Sequence, residues 1–183
     1  MVARSPPAVK QRAQKALGGH GEYVDVGVLD NISAQGPRIL VVVAGPGARR
    51  FAEMMKPYGM TADVVGDEPG QAAFLKMMSN VFAKGIAALA FEVMVPAQRM
   101  NMTDQVFQYA IKYLDRFSLS ENVTTRLTHP AVHAPRRTQE LTEIIGDLEA
   151  LGFDPVLTRA IRDVHKRLAD LGTREALNAT VPD

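Results

Sequence analysis

The chain has 183 residues, enough to bury a core without disulfide or metal staples, as one domain or two small ones. Its 46% hydrophobic and 22% charged residues place it in the ordinary globular class, away from disordered or fibrous compositions. With 21 basic against 20 acidic residues and no cysteine, it has no general charge for nucleic acid or an anionic membrane, and disulfides, thiol nucleophiles and cysteine-based zinc sites are excluded.

Residues 1–21 carry Arg4, Lys10, Arg12 and Lys15 without an acid, and they read in two ways. The composition resembles an organelle transit peptide, and PPAVKQRAQKAL equally reads as a proline-initiated helix near 6–17. Residues 23–66 then hold three valine-rich β-like runs, YVDVGVL, RILVVVAG and TADVVG, bounded by glycine or proline. Between the second and third, ARRFAEMMKPYG reads as a helix closed by Gly59. The order αββαβ is a piece of an α/β sheet.

After Gly66 the apolar period becomes helical. Asp67 and Pro69 open a helix over about 69–99, apolar nearly all round and therefore expected to be central and buried. Its IAALAF run and the LVVVAG strand both fall short of the ~20 apolar residues that a bilayer crossing takes, so no membrane span is expected. Further helices are expected near 103–117, 120–127, 136–151 and 155–171, with a frayed tail ALNATVPD. The fold class is an α/β portion, residues 1–67, followed by an all-α helical portion, residues 68–183.

Within PGQAAFLKMMSN, Lys76 and Asn80 stand four apart and share a helix face. Lysine is rarely buried unless paired, so its place among Phe74, Leu75, Met77, Met78 and Phe82 leaves two readings. A partly desolvated Lys76 suits proton exchange with a substrate hydroxyl or carbonyl, with Asn80 holding the same oxygen. Alternatively it snorkels to water. Lys84 is also able to reach water, while Gly85 would admit a close backbone.

HPAVHAPRR, residues 129–137, forms a second cluster. Pro135 reads as the first residue of a helix, which puts Arg136 and Arg137 in a first turn where cations oppose the dipole. With His133 they would grip a carboxylate or phosphate there, or else they pair with Glu140 or another acid or are simply solvated. His129 and His133 lack a third ligand and are interrupted by Pro130, so no metal site is expected. AGPGA, at 44–48, lacks the G-x-G-x-x-G spacing and reads as a plain strand-to-helix turn.

The order of these pieces resembles the β-hydroxyacid dehydrogenase and 6-phosphogluconate dehydrogenase-like superfamily. The likeness runs through SPPAVKQRAQKAL, YVDVGVLD, ILVVVAGPGARRFAEMMKPYG, GQAAFLKMMSNVFAKGIAALAFEVMVPA and HAPRRTQELTEIIGDLEALGFDP, nearly the whole chain. The AGPGA turn, LKM with KGIAAL, and RRTQEL look most like a phosphogluconate-dehydrogenase-like branch whose C-terminal domain is largely uncharacterised. The resemblance implies that Lys76 is the catalytic acid/base and that Asn80 holds substrate. It also implies a Rossmann-like NAD(P)-binding region ahead of a helical substrate and dimerisation domain.

Two departures qualify those implications. LDNISAQG stands where the family carries a Ser-Gly-Gly substrate loop, and the glycine fingerprint of the Rossmann domain is missing, as if the chain began inside that domain. The expectation is the C-terminal part of an NAD(P)-dependent oxidoreductase acting on a small hydroxyacid or related carbonyl compound, with NAD or NADP as cofactor. Its partners would be a small anionic substrate and a second copy of the chain, with no nucleic acid and no membrane, in the cytoplasm. The alternative is a non-catalytic helical oligomerisation remnant of such an enzyme.

Overall fold

The computed structural model describes residues 5–29, 36 and 38–171, with the backbone alone over 125–132. The LDNISAQG departure and the ALNATVPD tail fall largely outside the described residues. Two compact units divide the chain, residues 1–85 and 86–183.

The first unit begins with α1 (Pro7–Ala16), started by Pro7 as the helical reading of this segment expects. Three strands follow, β1 (Asp25–Val28), β2 (Leu40–Ala44) and β3 (Thr61–Gly66). They form one sheet in the order β1-β2-β3, with β1 antiparallel and β3 parallel to β2. The antiparallel register sets Asp25 opposite Ala44 and Val28 opposite Val41. The parallel β2–β3 pair needs a crossover, which α2 (Ala48–Met55) and a 3-10 turn over Lys56–Tyr58 supply before the left-handed Gly59.

Alternation along β2 sorts the core into two layers. Ile39, Val41 and Val43 pack with Ala48, Val24, Val26, Val28 and Phe51 on the α2 side. Val42 and Ala44 face the other way, against Ala72, Val65 and Leu75. Ala72 and Leu75 belong to α3 (Gln71–Arg99), so both sheet faces are covered by helices.

The expectation of a buried α3 is corrected. Phe74 is 52% exposed, Phe82 47%, Leu89 44% and Phe91 73%. The described residues supply only enough surface to cover part of a helix that is apolar nearly all round. By length and composition alone α3 is long and apolar enough to cross a bilayer. Yet it carries Lys76, Lys84 and Glu92, and its first turn is hydrogen-bonded to a sheet carboxylate.

In the second unit the predicted 103–117 helix is α4 (Thr103–Val106) continued by a π turn over Phe107–Ile111 and a 3-10 turn over Leu114–Arg116. The two helices expected at 120–127 and 136–151 are one, α5 (Leu119–Ala150), of 32 residues. Pro130 and Pro135 lie inside it, although an interior proline forfeits a hydrogen bond and costs ~3 kcal/mol. Two features offset that cost. A capping box at Ser118 and Glu121 fixes the start, and Ala134 and Ile145 are buried. Tertiary packing thus outweighs the local breaker. The helix ends where Gly152 and Phe153 donate to the carbonyls of Glu149 and Leu148, and α6 (Val156–Asp170) returns to pack on α5.

Candidate functional site

Strand β1 buries alternate residues, Asp25 and Gly27, on one face. Both touch the start of α3. The Asp25 carboxylate accepts hydrogen bonds at Oδ2 from the backbone N–H of Gly70 at 2.9 Å and of Ala73 at 3.0 Å. It thereby caps two of the four donors that a helix N-terminus leaves unpaired. Its other oxygen lies 2.9 Å from Nζ of Lys10, on α1, in a pair shut away from solvent. This Lys10–Asp25–α3 junction joins helix, strand and helix. The sequence reading passed over it, although an aspartate among valines at an inward strand position is the signal that would have found it.

Gly27 works by what it lacks. A methyl added there would stand 2.9 Å from both the Ala72 carbonyl oxygen and Val42 Cγ2, and 3.4 Å from Lys76 Cβ. Only glycine therefore lets the first turns of α3 lie this close to β1. Lys76 rises from that contact half-buried, with no acidic partner among the described residues. Asn80 is exposed, and its Nδ2 donates to the Lys76 carbonyl oxygen at 3.0 Å, which leaves Oδ1 to accept. Lys76 and Asn80 are thus adjacent, as their spacing requires. A groove of about 690 Å³ opens along Pro7, Val65, Phe74, Leu75 and Met78, and neither residue lines it. Lys84 is exposed, and no described residue comes within 4 Å of a methyl placed at Gly85, so the described residues bring no backbone against that glycine.

The second cluster loses its geometric premise. Pro135 is interior to α5, so Arg136 and Arg137 do not sit at a helix N-terminus, and no dipole penalty calls for an anion. Arg136 instead pairs with Glu140, Nε to Oε1 at 3.3 Å, one turn along the exposed face. Arg137 is half-buried and acts on His165 of α6, whose imidazole is pushed down by burial and then by the Arg137 charge. His133 is exposed on the same helix. Lys76 and Asn80 belong to the first unit, and these three residues to the second.

Glu92 supplies a second carboxylate cap. It accepts from Leu157 N at 2.7 Å, Thr158 N at 2.5 Å and Thr158 Oγ1 at 2.6 Å, at the first turn of α6. Burial raises its proton affinity, but the Thr158 and Leu157 hydrogen bonds and the Arg159 charge outweigh it and hold the carboxyl below its ordinary value. No group of three or more metal-ligating side chains exists among the described residues.

The AGPGA turn is packed rather than open. The Gly47 amide of the AGPGA turn is spent on the Tyr23 carbonyl at 3.1 Å. Methyls at Gly45 and Gly47 would press on Tyr23, Val24 and Glu22. The glycines serve close packing against the 22–24 segment, which agrees with the reading of a plain strand-to-helix turn.

Comparison with known proteins adds the wider frame. A family described only as a domain of unknown function, DUF1932, matches residues 97–168. An uncharacterized 28.5 kDa protein of Methanothermus fervidus is 20% identical over 164 residues, 90% of this chain and 63% of that protein. A conserved protein of unknown function, described as structurally similar to 3-hydroxyacid dehydrogenases, is 28% identical with a TM-score of 0.56, over 92% of this chain and 64% of its own. A reductive aminase from Aspergillus terreus, in complex with NADPH and ethyl levulinate, is 13% identical with a TM-score of 0.66, over 93% of this chain and 63% of its own.

The chain therefore shares the fold of these proteins, a mixed α/β Rossmann-like region followed by an all-α bundle. It spans less than two thirds of the length of these relatives.

Proposed function

We propose that this chain is the substrate-side part of an NAD(P)-dependent oxidoreductase of the 6-phosphogluconate dehydrogenase-like branch, acting on a small hydroxyacid or related carbonyl compound. The observation that carries this reading is Lys76, half-buried on the first helix after the sheet, against Gly27, and without an acidic partner among the described residues. There a lysine is placed to give a proton to, or take one from, a substrate oxygen, while Asn80 one turn on accepts from the same hydroxyl. Redox chemistry belongs to a cofactor held by residues other than those described. What this chain contributes is the proton and the orientation of the oxygen.

Two experiments test the division of labour. Isothermal titration of NADH and NADPH into the 183-residue chain is expected to show no saturable binding. Saturable binding would mean that the described residues make a nucleotide site after all. Joined to a complete cofactor domain, the protein is expected to oxidise NADPH or NADH with a 2-oxo acid. A panel in which cyclic imines react and no carbonyl compound does would overturn the substrate class. His133, Arg136 and Arg137 were expected to hold the distal anion of such a substrate. With Pro135 inside α5, Arg136→Gln is now expected to leave KM for an anionic substrate within about twofold.

The exposed apolar surface of α3 favours a second reading, in which the chain serves association alone. A homodimer built on that helix fits both readings. Light scattering is expected to give twice the chain mass, reduced to a monomer by Phe82→Glu. A catalytically silent dimer in the presence of a complete cofactor domain would favour the association module.

A further inference from the structure

We infer that Asp25 and Gly27 of β1 are positioning residues for Lys76, a two-point dock that fixes where the lysine stands relative to the sheet. The inference rests on the proposed role of Lys76, but its geometry does not. Residues two apart on a strand face the same way, and here they meet successive turns of one helix. Asp25 takes the Gly70 and Ala73 amides, which sets the height of the α3 N-terminus on the strand. Gly27 meets the Ala72 carbonyl and the root of Lys76, which sets how closely the next turn approaches.

Neither point alone defines the position. A helix pinned only at its N-terminus can pivot, and one held only by close packing can slide. Together, with Lys10 closing the carboxylate from behind, they leave Lys76 one place to stand. The contact at Gly27 has no give, because its nearest neighbours include a backbone oxygen of Ala72 that cannot rotate away. Any Cβ at position 27 must therefore lift the helix and carry Lys76 outward.

The test reads the exposure of Lys76 directly in the folded chain. A trace pulse of acetic anhydride labels amines in proportion to their access, and peptide mass spectrometry gives the ratio of Lys76 to Lys84, which is exposed on the same helix. In the unaltered chain Lys76 is expected to label several-fold more slowly than Lys84. Gly27→Ala is expected to raise the ratio at least threefold. Gly85→Ala, where a methyl meets no described residue within 4 Å, should leave it unchanged.

In Gly27→Ala a general loosening would raise the labelling of Lys10 as well, whose amine is buried against Asp25, so Lys10 separates positioning from stability. If Gly27→Ala does not fold, by circular dichroism, Lys10→Met/Asp25→Ala carries the same measurement, since it removes the acceptor of the Gly70 and Ala73 amides without leaving Lys10 buried and unpaired. A folded variant whose ratio stays within about 1.5-fold of the unaltered chain overturns the inference. That result would leave the acid/base role of Lys76 standing, because the labelling ratio does not depend on catalysis.

Discussion

Replacing Asp25 by alanine removes two different things at once, and their magnitudes can be separated. The first is a helix cap, two backbone N–H groups left without their acceptor, for which a loss of ~1 kcal/mol is usual. The second is the counter-charge of Lys10, whose side chain is 6% exposed and would stay buried without a partner. Breaking such a pair from one side typically costs ~3–5 kcal/mol, so the charge dominates.

Asp25→Ala is therefore expected to cost about 4 kcal/mol, a large share of the ~5–15 kcal/mol that holds a domain together. Lys10→Met/Asp25→Ala, in which the charge problem no longer exists, should cost only ~1–2 kcal/mol, roughly the lost cap. Urea unfolding followed through the backbone amide resonances of Val41, Val42 and Val43, which lie in the same unit, gives both numbers. A single variant that costs under ~1 kcal/mol, or a double variant as damaging as the sum of its singles, would refute the buried-pair account.

Other predictions concern pH and the helices. The Glu92 cap contributes stability that is complete above its unfolded value of 4.5 and is lost as pH falls through the lower folded value. Acid unfolding of the second unit should therefore come at higher pH in Glu92→Gln, and an unchanged midpoint would contradict it. His165 has a folded value pushed below 6.5, so below that pH the unfolded state binds its proton first, and stability falls as pH falls. Its buried Nδ1 has no hydrogen-bond partner among the described residues, so His165→Leu should remove that part of the pH dependence without loss at pH 8, as read by thermal melts across pH 5–8. Gly85→Ala, in an exposed helix interior, should stabilise α3 by ~1 kcal/mol, measured by thermal melting.

Much of the architecture was legible because it is written locally. The valine runs gave three strands, Gly59 closed the crossover helix, and the helical apolar period after Pro69 gave a long helix. The adjacency of Lys76 and Asn80 followed from spacing alone. What escaped depended on distant partners. Prolines at 130 and 135 read as breaks because the rule is local, whereas the burial of Ala134 and Ile145 that carries the helix through them is tertiary. The anion site expected at Arg136 and Arg137 rested on the same local reading of Pro135 as a helix start.

The apolar character of α3 was read as burial, but composition states a need for cover and not that the same chain meets it. In sequence Lys10 is one of four cations in the acid-free segment 1–21, and nothing local sets it apart. Only the fold shows it closing a buried carboxylate on the neighbouring strand.

The most direct measurement is steady-state turnover by the protein carrying a complete cofactor domain, with and without Lys76→Met. The account predicts that kcat falls by about 10²–10⁴-fold while KM changes little, the signature of a lost proton-transfer group. A variant that turns over within a few-fold of the unaltered protein would contradict the acid/base assignment, and with it the central claim.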